Sequence, residues 1–223
     1  MGTTIKLTAS DGHAFDAYRA DPKGKPKAAL VVCQEIFGVN SHIRRVVDEF
    51  ASDGYVAIAP ALFDRVERGV EIGYEPADIA RGRDIRGKCT NENALLDIEA
   101  AAKAVRATGK LGVVGYCWGG RLAWLSACRL TFDASVCYYG GGIAETKDEK
   151  ARCPVMMHFG ETDSSIPMAE VEAVRKAQPK VTFHIYPAGH GFNCEQRGSY
   201  HAESARIARE RTLAFFAQHL KSA

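Results

Sequence analysis

Apolar residues in this chain fall into short continuous runs, separated by longer segments where they recur every three or four positions. Runs occupy 28–34, 55–59, 111–114, 134–139, 155–159 and 181–186. An apolar run without alternation, such as 28–34, marks a strand buried on both faces of a sheet. Pro60 stops the second run. Residues 3–20 alternate weakly around Asp11-Gly12, which predicts a β-hairpin. Helical spacing appears at 41–52, with Ser41 as candidate N-cap, and at 91–107 through Leu95, Ile98, Ala102 and Val105. Gly109 stands where that helix would stop. Further helices are predicted at 120–129, at 167–178 with Pro167 in the first turn, and at 200–219. The stretch 62–88 is polar, carries Gly69, Gly73, Pro76, Gly82 and Gly87, and reads as an excursion with one short helix. Strands alternating with helices of this length predict a single α/β domain over 1–223: a mostly parallel central sheet with helices on both faces. In such sheets chemistry gathers at the carboxyl ends of the strands.

Composition narrows the function classes. The 223 residues are 46% hydrophobic and 25% charged, with a net charge of +2. That near-neutral balance argues against nucleic acid as partner. No apolar run approaches the roughly 20 residues that span a bilayer, so no membrane association is expected. The first residues lack the apolar core of a signal peptide, and position six is Lys, so the myristoylation pattern fails. Seven cysteines are present, several inside apolar runs (Cys33, Cys128, Cys137), and no pair has Cys-x-x-Cys spacing. They read as small buried hydrophobes rather than disulfides or a zinc site, and a cytoplasmic location is expected.

The candidate chemistry centres on Gly115-Tyr116-Cys117-Trp118-Gly119-Gly120. Cys117 follows an apolar run, precedes a helical pattern and has a glycine two residues to either side. This is the nucleophile-elbow pattern with cysteine in place of serine. The turn exposes the sulfur at a helix N-terminus, where free N–H groups stabilise a thiolate or an oxyanion. Asp163, in Gly160-Glu161-Thr162-Asp163, follows the run at 155–159. His190, in Ala188-Gly189-His190-Gly191-Phe192, follows the run at 181–186. The order nucleophile, acid, histidine is that of α/β-hydrolases. Each residue alone has a bland reading as buried thiol, helix cap or surface imidazole; three in order, each just past a strand, favour catalysis. His190 would act as base toward Cys117, with Asp163 fixing its tautomer. Glu161 is the rival acid, set earlier in the loop and expected to be solvated. Glu35 ends the run at 28–34, where the oxyanion loop of this fold belongs; there a carboxylate can hold a thiol proton. The backbone N–H groups of Ile36 and Trp118 are the expected oxyanion donors. Among other histidines, His158 and His184 are expected in strands, and His42 lies near Glu35.

On these residues, together with Asp11-Gly12-His13, Gln34-Glu35-Ile36-Phe37-Gly38-Val39-Asn40 and Tyr138-Tyr139-Gly140, the chain resembles the dienelactone hydrolase family of α/β-hydrolases over nearly its whole length. The resemblance implies hydrolysis of the enol-lactone 4-carboxymethylenebut-2-en-4-olide to maleylacetate, through an acyl-enzyme on Cys117. It assigns Cys117, Asp163 and His190 to the triad, and pairs Glu35 with the thiol at rest until substrate displaces it. It implies no metal and no organic cofactor, a monomer, and a small anionic lactone or ester as substrate. Phe37 is expected on the pocket wall. Two family arginines grip the substrate carboxylate. Arg81 is the candidate for the first, with Arg83 and Arg86 as competitors. At the second position this chain has Cys194, and Arg197 is the residue placed to reach the same space. That departure keeps a broader carboxylesterase or thioesterase as the alternative. A non-catalytic binding protein and a redox-sensing thiol are further readings, disfavoured by the intact set of four groups and by the absence of an evident resolving cysteine.

Overall fold

The computed structural model describes residues 1–221. Strands β1 (Thr3–Thr8) and β2 (Ala14–Ala20) form the expected hairpin. β3 (Ala28–Cys33), α1 (Ser41–Ser52) and β4 (Tyr55–Pro60) follow. The excursion begins with a 3-10 turn (Leu62–Arg65) and carries one helix, α2 (Pro76–Gly87). Then come α3 (Asn91–Val105), β5 (Leu111–Tyr116), α4 (Trp118–Arg129), β6 (Ala134–Tyr138), β7 (Val155–Gly160), α5 (Met168–Ala177), β8 (Thr182–Tyr186) and α6 (Ala202–His219).

The eight strands form one sheet in the order β1-β2-β4-β3-β5-β6-β7-β8. β2 pairs antiparallel with both β1 and β4, and every pair from β4 to β8 is parallel. Every residue of β3, β4, β5, β6 and β7 is buried, which requires cover on both faces and explains their unbroken apolar runs. α1 and α6 meet through Phe50 and Phe216, ring centroids 6.3 Å apart. Edge strands β1 and β8 are partly exposed and correspondingly more polar. No helix among the described residues is long and apolar enough to cross a membrane.

Three local expectations are corrected. The cap of α1 is Asn40, not Ser41: its extended backbone lets Oδ1 accept the Ile43 N–H at 3.2 Å, while Ser41 Oγ pairs with Gln196 at 3.2 Å. β5 runs on to Tyr116, and α4 starts at Trp118 rather than 120, so Cys117 alone forms the corner. α5 begins after Pro167, which itself stands at the cap.

Candidate active site

Cys117 sits between β5 and α4 with φ 56° and ψ −118°, a left-handed conformation that costs a non-glycine residue free energy of order 1–3 kcal/mol. The surrounding backbone holds it there. Its N–H donates to Tyr138 O at 3.0 Å, and its carbonyl accepts the Gly120 N–H at 2.9 Å. The flanking glycines are required by contact. A Cβ on Gly115 would collide with the carbonyl of Gly119, and one on Gly119 with the carbonyl of Cys33.

His190 joins the other two candidates. Its Nδ1 lies 2.7 Å from Asp163 Oδ2 and its Nε2 3.1 Å from Cys117 Sγ. Asp163 is buried, and its Oδ1 accepts the Ser165 N–H at 2.8 Å. The Ser199 hydroxyl donates to the carbonyl of His190 at 2.6 Å and anchors the loop. Burial works against a charged imidazole here, yet the Cys117 sulfur and the Asp163 carboxylate outweigh it and push His190 up to about 10. Glu161 is exposed, as expected for a solvated loop residue.

Glu35 is fully buried, but it does not pair with the thiol. Its Oε1 accepts from Arg197 Nη1 at 3.1 Å and its Oε2 from the Tyr74 hydroxyl at 3.3 Å. A full positive charge is a stronger partner for a buried carboxylate than a neutral thiol is. Arg197 also lines the cleft; burial opposes its charge and Glu35 more than restores it. Gln34 braces the loop, donating to the carbonyl of Glu35 at 3.2 Å and accepting the Leu62 N–H at 3.0 Å.

A cleft of 640 Å³ opens over the sulfur, with Ile36, Phe37, Trp118, His190 and Arg197 in its wall. Trp118 is the first residue of α4, a position whose N–H has no intrahelical acceptor. α2 forms another side through Ile79, Arg83 and Arg86. It is seated closely on the loop after β3: a Cβ on Gly82 would meet the carbonyl of Ile36. Arg81 is the candidate the structure overturns. It is exposed and ion-paired with Glu67 at 2.5 Å, and it does not line the cleft. A helix turns about 100° per residue, so Arg83 and Arg86, three apart, share the inner face while Arg81 points out. The Arg86 guanidinium stacks 4.8 Å from the Trp118 ring centroid and donates to the carbonyl of Cys89 at 3.1 Å. Arg86 has no carboxylate within ion-pair distance among the described residues. Burial and neighbouring Arg121 push it down from its ordinary value.

Sequence reasoning missed three groups. Arg121 lines the cleft, and its place one helical turn beyond Cys117 was the available signal. Tyr74, bonded to Glu35, lies in the polar excursion and gave none. Tyr139, with φ 36° and its ring 5.3 Å from that of His190, was legible only as part of Tyr138-Tyr139-Gly140. All seven cysteines are free. Burial pushes the Cys128 and Cys153 thiols up to about 12 and raises Cys33 and Cys137 further still.

A family model described as the dienelactone hydrolase family matches residues 15–220. A carboxymethylenebutenolidase of Pseudomonas putida is 34% identical over 96% of this chain and 95% of its own length. A carboxymethylenebutenolidase of Pseudomonas knackmussii matches with the same identity and coverage. A crystal structure from Klebsiella pneumoniae subsp. pneumoniae superposes with a TM-score of 0.85 at 33% identity, covering 97% of this chain and 99% of that one.

Proposed function

Because the chain belongs to the dienelactone hydrolase family, an α/β fold of enol-lactone and ester hydrolases, we propose that it opens a small anionic enol-lactone by covalent catalysis on Cys117. The reaction is that of dienelactone to maleylacetate. The observation carrying this reading is His190, bonded on one side to Asp163 and on the other to Cys117. Proton transfer from sulfur to imidazole gives a thiolate–imidazolium pair, which Asp163 stabilises. The thiolate adds to the lactone carbonyl. The N–H groups of Ile36 and Trp118 receive the developing oxyanion. Collapse breaks the ring C–O bond, and the enolate leaves on a carbon skeleton still bound as thioester. His190 returns the proton to the leaving group, then activates the water that hydrolyses the thioester.

Arg86 and Arg83 receive the substrate carboxylate in place of Arg81. A half-buried guanidinium with no acidic partner lowers its free energy by taking an anion from water. A carboxylate at this wall also competes with Glu35 for Arg197. The roomy cleft supports the second reading, a broader esterase or thioesterase. Turnover of cis- and trans-dienelactone compared with neutral p-nitrophenyl esters tests both. We expect kcat/KM to favour a dienelactone by at least about tenfold, the worth of one charge-assisted contact. Preference for neutral esters would install the second reading, and no turnover of any substrate would remove the catalytic one.

A further inference from the structure

Glu35 shares its buried surroundings with two groups that the hydrolytic chemistry leaves unused, His42 and Cys194. One ligand-capable atom from each of the three residues lies within 4.8 Å of the other two. Their exposures are 0%, 1% and 0%. They come from distant parts of the chain: the exit of β3, the first turn of α1 and the loop before α6. One polar atom of this group, His42 Nε2, has no hydrogen-bond partner although it is buried. Orphaned buried polar atoms are rare enough to call for a ligand.

We propose that Glu35, His42 and Cys194 bind a thiophilic divalent cation, with zinc the best match. A carboxylate oxygen, an imidazole nitrogen and a thiolate sulfur form a donor set that suits zinc and not the oxygen-seeking calcium or magnesium. Zinc bond lengths of about 2.0–2.3 Å put tetrahedral donors about 3.3–3.7 Å apart, so a contraction of about 1 Å closes the triangle and leaves a fourth position. Two guanidinium contacts yield on binding. Arg197 leaves Glu35 and turns to the cleft. Arg45, which donates to His42 Nδ1 at 3.2 Å, gives up that bond, because a cation on Nε2 requires the ring proton on Nδ1. Arg45 keeps its carboxylate partners Glu49 and Glu195. The cation replaces the Cys194 thiol proton, which passes to solvent. No electrons move, and uptake strengthens as pH rises.

The test uses the full chain, freed of metal by a chelator, with zinc and cobalt(II) as probes. Wild type and Cys117→Ser each take up one equivalent of zinc, and cobalt gives thiolate charge-transfer absorption in the near ultraviolet. Cys194→Ser loses that absorption. Cys194→Ser and His42→Gln each weaken zinc binding by about 100-fold or more, at least the effect of losing an outer contact to a ligand. Circular dichroism verifies both folds, and His42→Gln alone decides should Cys194→Ser unfold. Lack of stoichiometric uptake by wild type overturns the proposal. So does uptake that survives Cys194→Ser and His42→Gln but vanishes in Cys117→Ser, which would place the cation on the cleft thiol.

Discussion

Two histidines on adjoining parts of the sheet show how differently one side chain can be used. His158, within β7, is fully buried between hydroxyls: Nδ1 is 2.9 Å from the Tyr186 oxygen and Nε2 3.1 Å from Thr212 Oγ1. Thr212 continues the chain to the Tyr138 hydroxyl at 2.7 Å. Nothing there favours a positive charge, so burial, then neighbouring His184 and Arg211, hold His158 well below 6.5. His190, just beyond β8, is also mostly enclosed, but Asp163 and Cys117 flank it and raise it instead. Burial by itself keeps an imidazole neutral. An acidic neighbour on each side lets it hold a proton instead.

The sharpest way to break this contrast is to remove the sulfur. Cys117→Ala should lower kcat by up to about 10⁶-fold, the scale of losing a triad nucleophile, with the thermal transition unchanged. Retained turnover would end the mechanism. Titration comes next. If the thiolate–imidazolium pair is the reacting species, kcat/KM should hold up to about pH 10 and then fall about tenfold per unit. Stability should respond at both ends with opposite signs. His190, raised on folding, contributes fully below 6.5, and its contribution is lost as pH climbs through about 10. His158, lowered on folding, contributes above 6.5, and its contribution is lost as pH falls below that value. Urea midpoints across pH would read both arms, and a midpoint that rises from pH 7 to 10 would contradict the first.

A smaller effect is expected from the inert partner. His158→Leu takes one partner from each of two hydroxyls, which keep Arg211 and Tyr138, and should cost about 1–2 kcal/mol of stability, with kcat/KM nearly unchanged. A collapse of activity in a stable variant would erase the distinction between the two sites. Smallest is the arginine pair. Arg86→Ala should raise KM for anionic substrates about tenfold more than for neutral ones, whereas Arg81→Ala should stay within about twofold. Equal effects would return the carboxylate to the outer face of α2.

The parallel core was legible because strands buried on both faces leave unbroken apolar runs, and the meeting of Cys117, Asp163 and His190 was legible because strand ends fix which loops converge. α2 was not legible in phase. Only Gly82 and Ile85 are buried along it, so no apolar stripe marks which of its arginines turns inward. Asn40 and Ser41 are adjacent residues of equal capping ability, and only the backbone angle separates them. The Glu35–Arg197 pair joins positions 162 apart, and no local pattern announces such a contact.

The seating of Gly82 on the carbonyl of Ile36 has a consequence for the evolution of selectivity. Because only a hydrogen atom fits between them, the distance from the arginine-bearing helix to the sulfur is set by the size of a single residue. One added methyl would tilt the helix outward and enlarge the mouth without changing the number or sign of the charges it carries. Breadth and polarity of substrate choice are therefore separately adjustable in this scaffold, the first by volume at position 82 and the second by the side chains one turn further along.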